Sequence, residues 1–160
     1  MQLHIITTGG TIDKVYFDAK SDYQVGEPAI IDILNNMAVN FSFTVSIAFQ
    51  KDSLDMTAAD RDMLREQVLS CTENHVLITH GTDSMVASAL TLIDIPDKCI
   101  VLTGAMKPAA FINSDAMFNI GCALGALQSK PAGVYIAMNG SVFNADRVSK
   151  NVTKNIFEEV

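Results

Sequence analysis

Two turns in this chain hold the residue types that acyl chemistry needs, and each directly follows an apolar stretch. The first is Thr8-Gly9-Gly10-Thr11, after Leu3–Thr7, and the second is His80-Gly81-Thr82-Asp83, after Val76–Thr79. A threonine hydroxyl is a weak nucleophile at neutral pH and acts only beside a base or a proton path to one. Glycine next to it lets backbone N–H groups approach a carbonyl oxygen that becomes an oxyanion. The Asp83 carboxylate suits an ammonium, whether a substrate's or a lysine's. Phosphate chemistry fits less well, because neither G-x-x-x-x-G-K-S/T nor G-x-G-x-x-G occurs. The G-x-S-x-G nucleophile elbow is missing as well.

These turns need strands to aim them. Leu3–Thr7 and Val76–Thr79 read as buried strands, and Asp83–Ile93 reads as a helix. Each hydroxyl turn therefore lies at the carboxyl end of a strand, where open α/β sheets keep their ligand sites. Asp13–Glu27 is a polar connection, long for a compact domain, and is expected to be mobile or functional. Pro28 suits the first turn of a helix with Ile31, Leu34 and Ala38 on one face. Phe43–Phe49 reads as a strand and Lys51–Met56 as a polar turn. Thr57 and Asp60 resemble a capping box, followed by a stripe of Leu64, Val68 and Cys71. Cys99–Thr103 is a further strand, Ser114–Gln128 a helix, and Val134–Met138 a last core strand. Gly121, Ala123, Gly125 and Ala126 are expected to let that helix approach the sheet closely. The tail from Asn139 to Val160 is polar. Strands alternating with helices predict an α/β fold with a doubly wound, mostly parallel sheet covered by helices on both faces, in three layers.

Composition sets the outer bounds. The 160 residues fit one domain over 1–160, and 49% hydrophobic against 18% charged residues describe a compact globule. A net charge of −7 argues against nucleic acid or an anionic membrane as partner. The start MQLHIITTGG lacks the basic region and cleavage site of a secretory leader, so a cytoplasmic location is expected. Cys71, Cys99 and Cys122 are odd in number and set among apolar residues, as reduced core thiols are, and form no zinc pattern. His80 reads as a hydrogen-bonded turn residue, and His4 and His75 as structural.

Six segments in sequence order carry a family resemblance. T-T-G-G-T-I at Thr7–Ile12 and I-T-H-G-T-D-S-M at Ile78–Met85 resemble the two signature segments of the bacterial-type L-asparaginases. The likeness continues through K-S-D-Y-Q-V-G at Lys20–Gly26, D-S-L-D-M at Asp52–Met56, L-T-G-A-M-K-P at Leu102–Pro108 and R-V-S-K-N at Arg147–Asn151.

The resemblance implies an amidohydrolase that cleaves the side-chain amide of L-asparagine, or of a related small amide, through a threonine acyl-enzyme. No cofactor or metal is implied. By the same resemblance Thr11 is the nucleophile, Tyr23 its proton partner, and Thr82, Asp83 and Lys150 the second catalytic group. Asp83 would also receive the substrate's α-ammonium and Ser53 its α-carboxylate. Gly10, Gly81 and Thr82 would line the binding site, and the Ala105 carbonyl would face the amide being cleaved. Homodimers or larger homo-oligomers are implied too. There are two departures. The family's C-terminal domain, which donates an acidic residue to the tyrosine and to the substrate, is not found in these 160 residues. Leu54 stands where many members carry a polar side chain beside the substrate-binding serine. Two alternatives therefore stand beside the amidohydrolase: an amino-acid-binding module with little or no turnover, and an amidase component that needs a partner chain.

Overall fold

A computed structural model describes residues 1–160. In chain order the elements are β1 (Gln2–Gly9), β2 (Lys14–Phe17), β3 (Asp22–Val25), α1 (Ala29–Asn36), β4 (Ser42–Lys51), α2 (Ala58–Ser70), β5 (His75–Thr79) and α3 (Met85–Leu90). They continue as β6 (Cys99–Thr103), α4 (Ala116–Ser129), β7 (Gly133–Met138), β8 (Ser141–Asn144), β9 (Val148–Asn151) and β10 (Ile156–Glu159). The main sheet runs β4-β1-β5-β6-β7-β8, parallel except for β8, which returns antiparallel beside β7. The chain leaves β1 for β4 on one side and comes back as β5 on the other. The order of winding thus reverses between β1 and β5, and the crevice at their carboxyl ends is the switch point where such sheets bind ligands.

The strand period of two divides the core. Val76 and Ile78 of β5 face one cluster, with Leu64 and Val68 of α2 and Met85 and Ala89 of α3. Leu77 faces the other, with Ile30 and Leu34 of α1 and Ile120 and Ala123 of α4. Helices therefore cover both faces, which gives the expected three layers. No helix is long and apolar enough to cross a membrane.

Local chemistry sets the start of α2. Thr57 and Asp60 form the capping box of α2: the Asp60 amide donates to Thr57 Oγ1 (3.3 Å) and the Thr57 amide to Asp60 Oδ2 (2.8 Å). The Lys51 ammonium on Asp60 Oδ1 (2.7 Å), then the Thr57 amide, hold that carboxyl down at about 2. The same ion pair fastens the end of β4 to α2.

Several expectations need correction. Asp13–Glu27 contains a two-stranded hairpin, β2 against β3, with Tyr16 opposite Tyr23. Ala38 is exposed at φ 50° beyond the end of α1, so the face of that helix is Ile30 and Leu34, with Ile31 partly buried against the same cluster. Gly121 and Gly125 have open space where a Cβ would project, so they face solvent; the close approach of α4 is made by Ala123 and Ala126. The helix after the second turn is short, Met85–Leu90. The polar tail folds as β8, β9 and β10, with Phe157 buried in the core.

Candidate functional site

The two hydroxyl turns touch. Gly10 lies at φ 89°, ψ −172°, a region open essentially to glycine alone. A Cβ there would stand 2.5 Å from Gly81 Cα and N, and a Cβ on Gly81 would stand 2.5 Å from Ser53 Cβ and 2.6 Å from its Oγ. The turns after β1 and β5 thus lie backbone to backbone, and the turn after β4 packs against them through the Ser53 side chain. The Gly10 amide donates to the Lys51 carbonyl (2.9 Å), and the His80 amide to the Thr103 carbonyl (2.8 Å). A Cβ on Gly104 would collide with the His80 carbonyl, which draws the end of β6 into the same cluster. Thr8 Oγ1 donates to the Thr79 carbonyl (3.0 Å), a further tie between β1 and β5. Thr11 opens a short 3-10 turn, Thr11–Asp13, and is half-buried with its hydroxyl unengaged by the chain.

The second group is assembled directly. Lys150 Nζ donates to Thr82 Oγ1 (2.8 Å) and to Asp83 Oδ1 (2.6 Å). Lys150 sits on β9 opposite Phe157 of β10. The Phe157 amide donates to Asn139 Oδ1 (2.9 Å), and the Asn139 amide to Asn119 Oδ1 (3.2 Å). The Asn119 side-chain amide in turn donates to the Gly104 carbonyl (3.0 Å) and to Asp115 Oδ2 (2.8 Å). This relay fixes the distant tail against the end of β6 and so delivers the lysine. Asn119 escaped the sequence reading. Its signal was an amide at a core position of α4, in step with Ala116, Ile120 and Ala123.

Ser53 is buried at 3%, in a turn shaped by Asp52, whose Oδ1 accepts the Leu54 amide (3.1 Å). Lys14 reaches Asp52 Oδ2 at 2.6 Å; with the Leu54 amide it lowers the Asp52 carboxyl below its ordinary range. Ser84 Oγ donates to the Ser53 carbonyl (2.7 Å), joining this turn to the start of α3. Leu54 is 76% exposed, so its side chain points away from the buried serine beside it. Ala105 is buried just beyond β6, and the Asp115 carboxylate accepts the next amides, from Met106 (3.0 Å) and Lys107 (3.1 Å).

Tyr23 stands apart. It is 44% exposed on the hairpin, edge-on to Tyr16 (5.4 Å between ring centres) and to Phe111 (5.9 Å), and it makes no hydrogen bond to Thr11. Gly10, Gly81 and Ser53 are therefore in direct contact, as are Thr82, Asp83 and Lys150. Thr11 adjoins them through Gly10, and Tyr23 is held by aromatic neighbours.

His80 is fully buried between the Gly81 carbonyl (Nδ1, 2.7 Å) and Ser88 Oγ (Nε2, 2.8 Å). Burial lowers its pKa to about 4, so it is neutral and serves to shape the turn. A folded pKa below the ordinary 6.5 means that the native state binds the proton less readily than the unfolded chain. Its contribution is complete above about pH 6.5 and lost as pH falls toward about 4, by roughly 3 kcal/mol at most. Denaturant unfolding across that range should show this loss, and a flat profile would contradict it.

Comparison with known proteins is consistent with this geometry. The family model described as Asparaginase, N-terminal, matches residues 2–158. A glutaminase-asparaginase of Acinetobacter glutaminasificans is 30% identical over 92% of this chain and 49% of its own length. L-asparaginase 2 of Escherichia coli is 30% identical over 95% of this chain and 47% of its own. A component of the glutamyl-tRNA(Gln) amidotransferase of Methanococcus maripaludis is 29% identical over 86% of this chain and 35% of its own. Among solved structures, the thermostable L-asparaginase from Thermococcus kodakarensis superposes with a TM-score of 0.84 at 25% identity, covering 100% of this chain and 51% of that one. The chain spans about half the length of the curated relatives it matches first. With a family match that runs from residue 2 to residue 158, this protein belongs to the asparaginase family and carries that family's N-terminal region.

Proposed function

We propose that this chain is an asparaginase-like amidohydrolase that hydrolyses the side-chain amide of L-asparagine, or of a related small amide, through an acyl-enzyme on Thr11. The observation that carries this reading is the stacking of two threonine-glycine turns at the switch point, with Lys150 bonded to both Thr82 and Asp83. Thr11 Oγ attacks the amide carbon as its proton passes to Tyr23, brought in by the hairpin. The amide C–N bond then breaks, and the nitrogen takes a proton and leaves as ammonia. Water next attacks the ester. Its oxygen stays with the product acid, its proton restores the threonine hydroxyl, and the C–O bond to Thr11 breaks. An ammonium that donates to Thr82 Oγ1 favours the deprotonated form of a hydroxyl or water at that place. Ser53 takes the substrate's α-carboxylate, Asp83 its α-ammonium, and the Ala105 carbonyl faces the amide nitrogen.

The test is ammonia release from asparagine, glutamine and related amides, with calorimetric binding of aspartate alongside. Steady release supports the reading. Aspartate binding without turnover would replace it with an amino-acid-binding module. A second reading rests on the likeness to the amidotransferase component, and in it the chain is the amidase part of a two-chain system. Ammonia release that appears only with a partner chain would favour it.

A further inference from the structure

A cavity of about 520 Å³ lies behind the first hydroxyl turn, between the base of the hairpin, the start of α1 and the segment after β6. Its wall is largely apolar, with Ile12, Val15, Ile33 and Ala109. A volume and lining of this kind suit a small molecule, held by apolar contact and aimed by a few polar groups. Thr11, Ser53, Thr82, Asp83 and Lys150 take no part in the lining, so the cavity is separate from the site described above. The two are joined through backbone: the Asp13 amide donates to the Gly10 carbonyl (3.2 Å), and the Ala109 amide to the Ile12 carbonyl (3.0 Å). An occupant would therefore rest against the turn that holds Thr11.

Asp13 is the buried polar group on this cavity, at 3% exposure. Its Oδ1 accepts from the amide of Ala29 (2.9 Å), and its Oδ2 accepts no bond from the chain. The side-chain polar atoms sealed from solvent without a partner are Thr7 Oγ1, Thr79 Oγ1 and Arg61 Nε. Asp13 Oδ2 is not one of them, so it opens on the cavity. The other charged groups there are Lys14, Glu27 and Asp32. Lys14 is engaged by Asp52 at 2.6 Å, which leaves carboxyl groups on the cavity and no cation bonded to them. In keeping with that, burial raises the Asp13 carboxyl from the ordinary 3.8 to about 7.

We infer that this cavity is a binding site for a small organic ammonium, whose cationic head donates to Asp13 Oδ2 while an apolar body packs on Ile12, Val15, Ile33 and Ala109. The carboxyl groups select the charge of the head. A neutral donor pairs with Oδ2 more weakly than an ammonium does, and an anion is repelled. The apolar wall selects the body, because an inorganic cation would have to shed water against isoleucine and valine. A zwitterionic amino acid would bring its own carboxylate against Glu27 and Asp32, so the occupant differs in class from the amino-acid substrate proposed above.

Benzylamine is the probe, with benzyl alcohol and benzoate as neutral and anionic counterparts of similar shape, and each is titrated into the chain while amide NMR shifts are followed. Benzylamine should give saturable shifts centred on Ile12, Asp13, Ala29, Ile33 and Ala109, with a Kd about tenfold or more below that of benzyl alcohol. Benzoate should give none. Asp13→Asn keeps the acceptor for Ala29 and loses the charge, and it should weaken benzylamine about tenfold or more. Equal affinity for amine and alcohol, undiminished amine binding by Asp13→Asn, shifts scattered over the acidic surface, or no saturable shift at all would each overturn the inference. Should Asp13→Asn fail to fold, the three probes still decide in the unaltered chain. Ala109→Leu gives a further check there: it fills part of the half-buried wall and should remove the benzylamine shifts, whereas their retention would place the amine elsewhere and refute the inference. None of these readouts uses turnover, so a chain that releases no ammonia would sink the proposed reaction and leave this result standing.

Discussion

Thr11→Val is expected to remove amide hydrolysis, by roughly 10⁴-fold or more, while the fold stays intact. The large effect follows from what Thr11 is and what surrounds it. The residue is half-buried and its hydroxyl makes no bond within the chain, so it is not needed to hold the turn. Valine keeps the branched shape at Cβ and deletes only the oxygen. The turn itself is held by Gly10, whose amide is bonded to Lys51, and by Asp13, whose amide is bonded to Gly10. Thermal unfolding should therefore move by less than about 1 kcal/mol, as for a substitution away from a packed core. Thr82→Val would be a different case. It leaves Lys150 with Asp83 as its one side-chain partner, so it should disturb both the site and the placement of β9. Unchanged ammonia release by Thr11→Val would mean that the first turn is scaffolding and that any chemistry resides at Thr82.

The second large effect concerns stability. Gly10→Ala is expected to cost roughly 2–6 kcal/mol, the sum of backbone strain and overpacking. A Cβ at this position meets the backbone of Gly81 at 2.5 Å, and backbone in a stacked turn cannot rotate aside as a flexible side chain would. For a chain of this size that corresponds to a fall in Tm of about 5–20 °C. The matched control is Gly125→Ala on the solvent side of α4, where a Cβ meets nothing within 4 Å. There alanine should stabilise by about 1 kcal/mol, the helix propensity gap between the two residues. Melting of Gly10→Ala at the temperature of the unaltered chain would show that the two turns can separate freely, and the compact site described above would not be required by the fold.

The contrast between those two glycines also marks what could be read from the sequence. Glycine beside threonine at a strand end allows a positive φ and a close backbone approach, and Gly10 uses both, at φ 89° and against Gly81. Glycine within an apolar helix is ambiguous, because it can face a sheet or face water. The alanines that actually pack, Ala123 and Ala126, carry the same hydropathy signal. The strands β1, β5, β6 and β7 were legible because each is buried on both faces and so reads as an unbroken apolar run. The hairpin was not, since β2 and β3 bury no side chain fully and are held by backbone ladder bonds and the stacking of Tyr16, Tyr23 and Phe111. The tail hid for a related reason. Its strands are polar, and their place is set by Asn139 and Asn119, which lie 20 residues apart and signal nothing together in sequence. Lys150 was therefore reachable only through the motif around it, although its bonds to Thr82 and Asp83 are among the shortest side-chain contacts at the site. Asp13 was passed over because a carboxylate in a polar loop looks solvated until the fold buries it.

In the proposed reaction the acyl group is carried by Thr11. This is tested most directly by quenching the chain in acid during turnover of asparagine and mapping its peptides by mass spectrometry. The expected result is an aspartyl ester on the peptide that contains Thr11, absent from Thr11→Val. An ester on the peptide that contains Thr82, or steady ammonia release with no ester on any peptide, would contradict it.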